Sequence, residues 1–176
     1  MTLTLERDET ETETELLVML ELGAILCGVP SSRVERIMSV DEAKVRPFLQ
    51  AHSHQPAAAE GLLVNDGKDF AAWDLFRLLG LGPQPAAVWV LTALGGGQRI
   101  PVALRAGRCR AIERGSILNR SSALWSRGGA FGEFFVPRTN SQVRRFRCGA
   151  IVNLDELFAP EELQLSQRWV NGGSKW

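Results

Sequence analysis

Gly61 to Gly80 reads GLLVNDGKDFAAWDLFRLLG: a strand, a tight turn, a second strand and a short helix. Gly61-Leu62-Leu63-Val64 is a continuous apolar run, the pattern of a strand covered on both faces. Asn65-Asp66-Gly67 carries turn chemistry, because Asn and Asp tolerate left-handed backbone and Gly has no Cβ to clash there. Phe70-Ala71-Ala72-Trp73 resumes the strand. Asp74 then takes the N-cap of Leu75-Phe76-Arg77-Leu78-Leu79, its carboxylate accepting free backbone N–H groups, and Gly80 stops the helix. The stretch fixes a local fold and is silent on function.

Upstream, Glu15 to Leu22 (ELLVMLEL) reads as a buried strand, and Gly23 turns the chain into its hairpin partner, Ala24 to Val29. Pro30-Ser31-Ser32 opens a new element with a serine available as N-cap. Val34, Ile37 and Met38 then fall on one helical face. Asp41 to Pro56 is polar and turn-rich, the composition of a connecting loop. Downstream, Gly82-Pro83-Gln84-Pro85 is a stiff linker. Ala87 to Ala93 is the next buried strand, Gly95-Gly96-Gly97 its turn and Arg99 to Leu104 the return strand. Residues 119 to 145 read as a long loop interrupted by the apolar run Phe131 to Val136. Phe146 to Val152 is a last strand. Pro160-Glu161-Glu162-Leu163 opens a terminal helix, with proline in the first turn and acids near its positive end.

The chain also repeats itself. Cys27 to Ile37 aligns with Val102 to Ile112, 75 residues later, and Ala72 to Leu79 aligns with Ile151 to Phe158, 79 residues later. Each copy reads hairpin, short helical piece, loop, strand, capped exit. Short strands with closely spaced turns favour small β-barrels. Two pseudo-equivalent barrels with a shared seam follow, with the repeat boundary near 82–86.

Bulk properties narrow the class. At 176 residues the chain suits one domain or two small subdomains sharing a core, and 45% hydrophobic content is that of a globular protein. No apolar run approaches the roughly 18 residues of a membrane span. Residues 1–14 open MTLTLERDETETET, acidic and without an apolar face, so they are expected to be a disordered tail rather than a secretory signal. Cys27, Cys109 and Cys148 have no CxxC spacing and read as reduced thiols of a cytoplasmic protein. Net charge is zero but unevenly spread: residues 6–15 carry six acids against one Arg, and residues 99–147 carry eleven Arg against Glu113 and Glu133.

These residues resemble the CheW-like domain family of bacterial chemosensory systems. The family signature, a strand such as GVINLRG followed by a strand ending in Pro-x-x-Asp-Leu, is similar to Gly61 to Gly67 followed by Ala71 to Leu79. Val34-Glu35-Arg36-Ile37 resembles the family's Val-x-x-Ile segment after the first hairpin. The resemblance covers residues 15–165, leaving 166–176 as a C-terminal tail. It implies a mainly β fold: two intertwined, five-stranded, SH3-like β-barrels around a common hydrophobic core, with short helices and a C-terminal helix. It also implies a non-enzymatic scaffold or adaptor linking methyl-accepting receptors to a CheA-type histidine kinase. Three positions depart from the family pattern. Asp66 replaces an Arg in the receptor-facing turn, Ala71 replaces a Pro, and Leu104-Arg105 replaces a Val-Asp. The first is a charge reversal, so a substitute regulator in place of the receptor is the alternative partner.

In the family a receptor helix lies in the groove between the barrels, and by motif Val34, Ile37, Gly61, Leu62 and Asp66 map near it. Val34 and Ile37 would offer apolar contact to a partner helix or serve as plain core. Gly61 would belong to the groove or simply let two strands approach. Asp66 would meet a partner or close an Asx turn. Phe131, Phe134 and Phe135 in GAFGEFFVP are a second candidate interface, read as a partner anchor or, preferred, as a strand covering the second barrel. Trp125, Trp169 and Trp176 fall outside the core strands.

Other functions find less support. His52 and His54 form an H-x-H pair, but no Asp, Glu or Cys cluster accompanies them to complete a metal site. Gly95-Gly96-Gly97 lacks the Lys and Ser/Thr of a phosphate loop. No catalytic, cofactor or metal set is therefore expected. Arg105, Arg108, Arg110, Arg144, Arg145 and Arg147 would make a basic stripe for nucleic acid. With no interleaved aromatics and no net charge, however, nucleic-acid binding is the weaker reading.

Overall fold

Strands that are apolar at every position need something to bury on both sides, and here each side has a different destination. The computed structural model describes residues 13–47, 55–95, 99–118, 130–138, 141–143 and 145–172. On β1 (Thr14–Leu22), Leu17 and Met19 point into one barrel while Val18, Leu20 and Leu22 point into a core shared with the second sheet. On β6 (Lys68–Asp74), Phe70 and Ala72 fill the second sheet's own cluster while Ala71 and Trp73 face the shared core. The uninterrupted apolar runs are the signature of strands between two cores.

The remaining strands are β2 (Ile25–Pro30), β3 (Val34–Ser39), β4 (Lys44–Arg46), β5 (Ala59–Asn65), β7 (Val88–Leu94), β8 (Ile100–Ala106), β9 (Arg108–Leu118), β10 (Phe131–Pro137) and β11 (Gly149–Val152). The short helix α1 (Leu75–Leu78) follows β6, and α2 (Pro160–Gly172) closes the chain. One sheet is a closed barrel in the order β1-β2-β11-β10-β9; the other is six-stranded, β3-β7-β8-β6-β5-β4. The protein is mainly β, with two barrel-like sheets around a shared core.

The repeat is visible in the topology, with its parts exchanged. The first hairpin, β1–β2, closes the barrel made by β9, β10 and β11. The second hairpin, β7–β8, joins β3, β5 and β6. Each barrel has one parallel seam, Cys27 opposite Ala150 in β2–β11 and Ala71 opposite Val102 in β6–β8. The sequence offsets of 75 and 79 carry Cys27 to Val102 and Ala71 to Ala150, so the two seams are one contact made twice.

Several expectations need correction. Strand β4 lies inside the loop expected over Asp41 to Pro56, and of the tail expected over 1–14, Thr14 belongs to β1 while residues 1–12 lie outside the described residues. The helix expected over Arg33 to Met38 is a three-residue 3₁₀ turn, Ser31–Arg33, followed by strand β3. No serine side chain caps that turn, and β7 offers β3 a full antiparallel ladder instead. The register slips between Val34 and Arg36, placing Val34 opposite Thr92 and Ile37 opposite Val90. This bulge puts residues three apart on the same strand face, which imitates helical spacing. Within the segment matched to it by the repeat, Val102 to Ala106 lies in β8 and Arg108 to Ile112 in β9. The tail expected from residue 166 belongs to α2, which runs to Gly172 and buries Ser166 and Trp169. Trp169 packs 5.4 Å from Trp73, whose indole N–H donates to the Ser166 hydroxyl at 3.0 Å.

Candidate protein-binding groove

The five groove residues separate into a buried set and an exposed one. Leu62 is 5% exposed and belongs to the shared core, against which Val34 and Ile37 pack half-buried. Gly61 is buried at a bulge in β5 with φ +147°, where a Cβ would stand 2.2 Å from the Arg46 carbonyl oxygen. Its lack of a side chain lets β4 lie against β5. Asp66 alone is fully presented: it holds φ 49° at the hairpin turn, with its side chain 80% exposed.

Asp66 is not a free anion. The Arg36 guanidinium donates to Asp66 Oδ2 at 2.9 Å and to Asn65 Oδ1 at 3.2 Å. Lys68 Nζ donates to Glu35 Oε2 at 2.9 Å. β3 and the β5–β6 turn are far apart in strand order, so these bonds show the sheet curling until its β3 edge meets that turn. The surface is thus a neutral cluster of two cations and two anions beside the half-buried Val34 and Ile37. Sequence reading found Asp66 and missed Arg36, Glu35 and Lys68, whose pairing depends on that curl.

Phe131 and Phe135 are buried, and Phe134 is half-buried. Phe135 fills the closed barrel, and Cβ atoms built on Gly28, Gly115 and Gly149 would each fall within 3 Å of its ring. Three glycines make room for one large side chain. The preferred reading as a covering strand matches β10, and Phe131 and Phe135 present no anchor at the surface. A second polar knot joins the copies: Arg33 donates to both carboxylate oxygens of Asp155, at 3.0 and 2.9 Å.

His52, His54, Trp125, Arg144 and Trp176 lie outside the described residues. Among the described residues, no group of three or more His, Cys, Asp or Glu could hold a metal ion. Cys27 is buried, and burial pushes its thiol up to about 12, far from a reactive thiolate at neutral pH. Burial also raises the Cys109 thiol, against a smaller opposing hydrogen bond from the Ala111 backbone. No helix among the described residues is long and apolar enough to cross a membrane.

No protein-family model matches the sequence, and no curated protein matches it. Among solved structures, the chain is similar to the scaffolding protein TtCheW from Thermoanaerobacter tengcongensis. The likeness covers 83% of this chain and 93% of that one, with a TM-score of 0.59 and 17% sequence identity. At that identity the likeness is one of architecture. The chain has a CheW-like fold.

Proposed function

We propose that this protein is a non-enzymatic scaffold of a bacterial chemosensory pathway, working in the cytoplasm and coupling receptor-type proteins to a CheA-type histidine kinase. The observation that carries the reading is the fold, shared over most of both chains with a protein described as a scaffold. The surface at β3 and the β5–β6 turn is compatible with it. An apolar pair, Val34 and Ile37, sits beside a turn held in place by Arg36 and Lys68, which suits docking of a partner helix.

A second reading, in which another regulator occupies the groove, is favoured by Asp66. A partner formed to meet a cation would meet a carboxylate here, already compensated by Arg36. A like-charge contact at a desolvated interface costs several kcal/mol, which suffices to exclude a partner.

The two readings part in a pull-down from native cell extract using wild type, Val34→Glu, and the double variant Asp66→Arg/Arg36→Glu. The double variant inverts the pair while keeping it neutralised; Asp66→Arg alone would set two guanidiniums against each other. Recovery of a CheA-type kinase and methyl-accepting receptors by wild type, lost in Val34→Glu, is the outcome expected of the scaffold. Receptors recovered only by the double variant would favour the substitute regulator. Absence of any signalling protein from every sample would sink both.

A further inference from the structure

The bulge that shapes β3 is made a second time on β9. On β3, Val34 opposes Thr92, Arg36 opposes Leu91 and Ile37 opposes Val90, with the register slipping between Val34 and Arg36. On β9, Cys109 opposes Leu20, Ala111 opposes Met19 and Ile112 opposes Val18, with the slip between Leu20 and Met19. The offset of 75 carries Val34 to Cys109, Arg36 to Ala111 and Ile37 to Ile112. Cys109 packs half-buried against the shared core as Val34 does, but Ile112 is 58% exposed. β10 pairs only with Gly115 to Leu118 of β9. Among the described residues, therefore, no strand covers the other edge of Arg108 to Arg114, just as none covers that of β3. The connection from β10 to β11 stands where the β5–β6 turn stands. Its Ser141 hydroxyl donates to the Glu113 carboxylate, and its Arg145 shares Glu21 with Arg110.

The charges of the two surfaces differ. Beside β3, Glu35, Arg36, Asp66 and Lys68 balance. Beside β9, Arg108 opposes Glu21 across the β1–β9 ladder. Arg147 enters at the same end of the barrel, since β11 opens at Gly149 beside Leu26, the β2 partner of Glu21. Arg108 and Arg147 are exposed, and neither has a carboxylate partner among the described residues. Four guanidiniums thus stand against one carboxylate, with an exposed isoleucine on the same uncovered edge. We infer that this edge of β9 is a second docking surface, and that it receives an acidic segment of a protein partner. Carboxylate is the anion the cluster already holds. Hydrogen bonding from Arg110, opposed by partial burial and reinforced by Arg145, keeps the Glu21 carboxyl below its ordinary range. Guanidinium forks match carboxylates, and Arg clusters are a recurring reader of acidic motifs. Ile112 offers apolar contact beside those charges. The aromatic ring of the cluster, Phe146, is half-buried with the Arg145 guanidinium 4.8 Å from its centre, which leaves no free ring to stack a nucleobase. The inference rests on the repeat and the charge balance, and stands whether or not the scaffold role does.

The test is a titration of the isotope-labelled full chain with a short synthetic peptide of Glu and Leu residues, followed by amide shifts at about 0.15 M salt. The amides of Arg108, Arg110, Ile112, Arg145 and Arg147 are expected to move, while those of β7 stay in place and report an intact fold. The same peptide with Gln in place of Glu should leave all of them unmoved. Affinity should fall about tenfold or more in Arg108→Glu/Arg147→Glu, which breaks no ion pair within the described residues. It should rise in Glu21→Gln, which frees Arg110 and Arg145 for the peptide. Shifts spread equally over Arg114, Arg138 and Arg168 would overturn the inference, because they would mean charge screening without a site. Affinity unchanged by the double reversal would overturn it too. So would a single-stranded oligonucleotide that moves the same amides at lower concentration, which would make nucleic acid the occupant. The same shifts on concentrating the protein alone would make the occupant a second copy.

Discussion

Asp74 uses its two carboxylate oxygens for different purposes. Oδ1 accepts the N–H groups of Phe76 and Arg77 at 2.9 and 3.3 Å, the cap that the sequence announces. Oδ2 accepts from Arg105 Nη2 at 2.7 Å, a bond made possible by the parallel register that sets Asp74 opposite Arg105. Sequence spacing shows the first because it is local and hides the second because it needs the β6–β8 seam. Asp74 is fully buried, so removing its charge should be costly. Asp74→Asn keeps an acceptor for the cap and should lose about 3 kcal/mol, the low end for breaking a buried pair, since Arg105 still has Glu60 at 3.0 Å. Asp74→Ala should lose about 1 kcal/mol more with the cap. Urea denaturation measures both; two variants of equal stability would refute the division of labour. Asp155 gives a pH-dependent counterpart. Hydrogen bonding to Arg33, outweighing partial burial, holds its carboxyl below the ordinary range. A carboxylate with a depressed folded pKa adds stability above its unfolded value of about 4, and that stability is lost as pH falls through the folded value. The stability difference between wild type and Arg33→Ala should therefore be constant near neutrality and shrink below about pH 4. A gap that stays constant into acid would show that the pair adds nothing.

Among the elements, β3 shows where sequence periodicity misleads and why. Val34 and Ile37 do lie on one face, as the helical spacing suggests, but the bulge between Val34 and Arg36 makes that spacing fit a strand. Period alone does not separate a helix turn from a bulged strand. The deciding fact is a partner strand, β7, that lies more than fifty residues along the chain. Helix α2 was legible at its start, from Pro160 and the two acids, and illegible at its end. Its last turns are held by a tertiary bond, Trp73 Nε1–H to the Ser166 hydroxyl, with Trp169 and Phe158 each 5.4 Å from the Trp73 ring. Ser166 is buried and in turn donates to the Glu162 carbonyl at 2.8 Å. Ser166→Ala leaves a buried indole N–H without an acceptor and should cost about 1–3 kcal/mol. Loss of near-ultraviolet ellipticity, with α2 amides exchanging faster than those of β7, would locate the damage. Exchange unchanged in α2 would mean that ring packing, and not the hydrogen bond, fixes the helix.

At the scale of the molecule, the linker at Gly82 to Pro85 separates two copies in sequence without separating two barrels in space. Each barrel borrows a hairpin from the other copy, and the parallel seams Cys27–Ala150 and Ala71–Val102 join residues of opposite halves. Repetition could be read from aligned residues; the exchange could not, because either pairing of hairpin with remainder satisfies the same apolar pattern. Only the exchange carries the shared core, which draws Leu20 and Trp73 from the first half and Leu104 and Val152 from the second. A half-chain would leave its hairpin and its remaining strands without their partners, with both edges and one apolar face exposed. Fragments 1–84 and 85–176 should each lack near-ultraviolet ellipticity alone, and should recover it when mixed at equal concentration. Intact protein cleaved between Gln84 and Pro85, on the exposed linker, should likewise hold together through size-exclusion chromatography and unfold in one transition. If either fragment folded by itself with dispersed amide signals, the barrels would be independent domains and the exchange would not be what holds them together. With the halves interlocked, the surface carrying Val34 and Asp66 is rigid, which is what the proposed docking of a partner there would require.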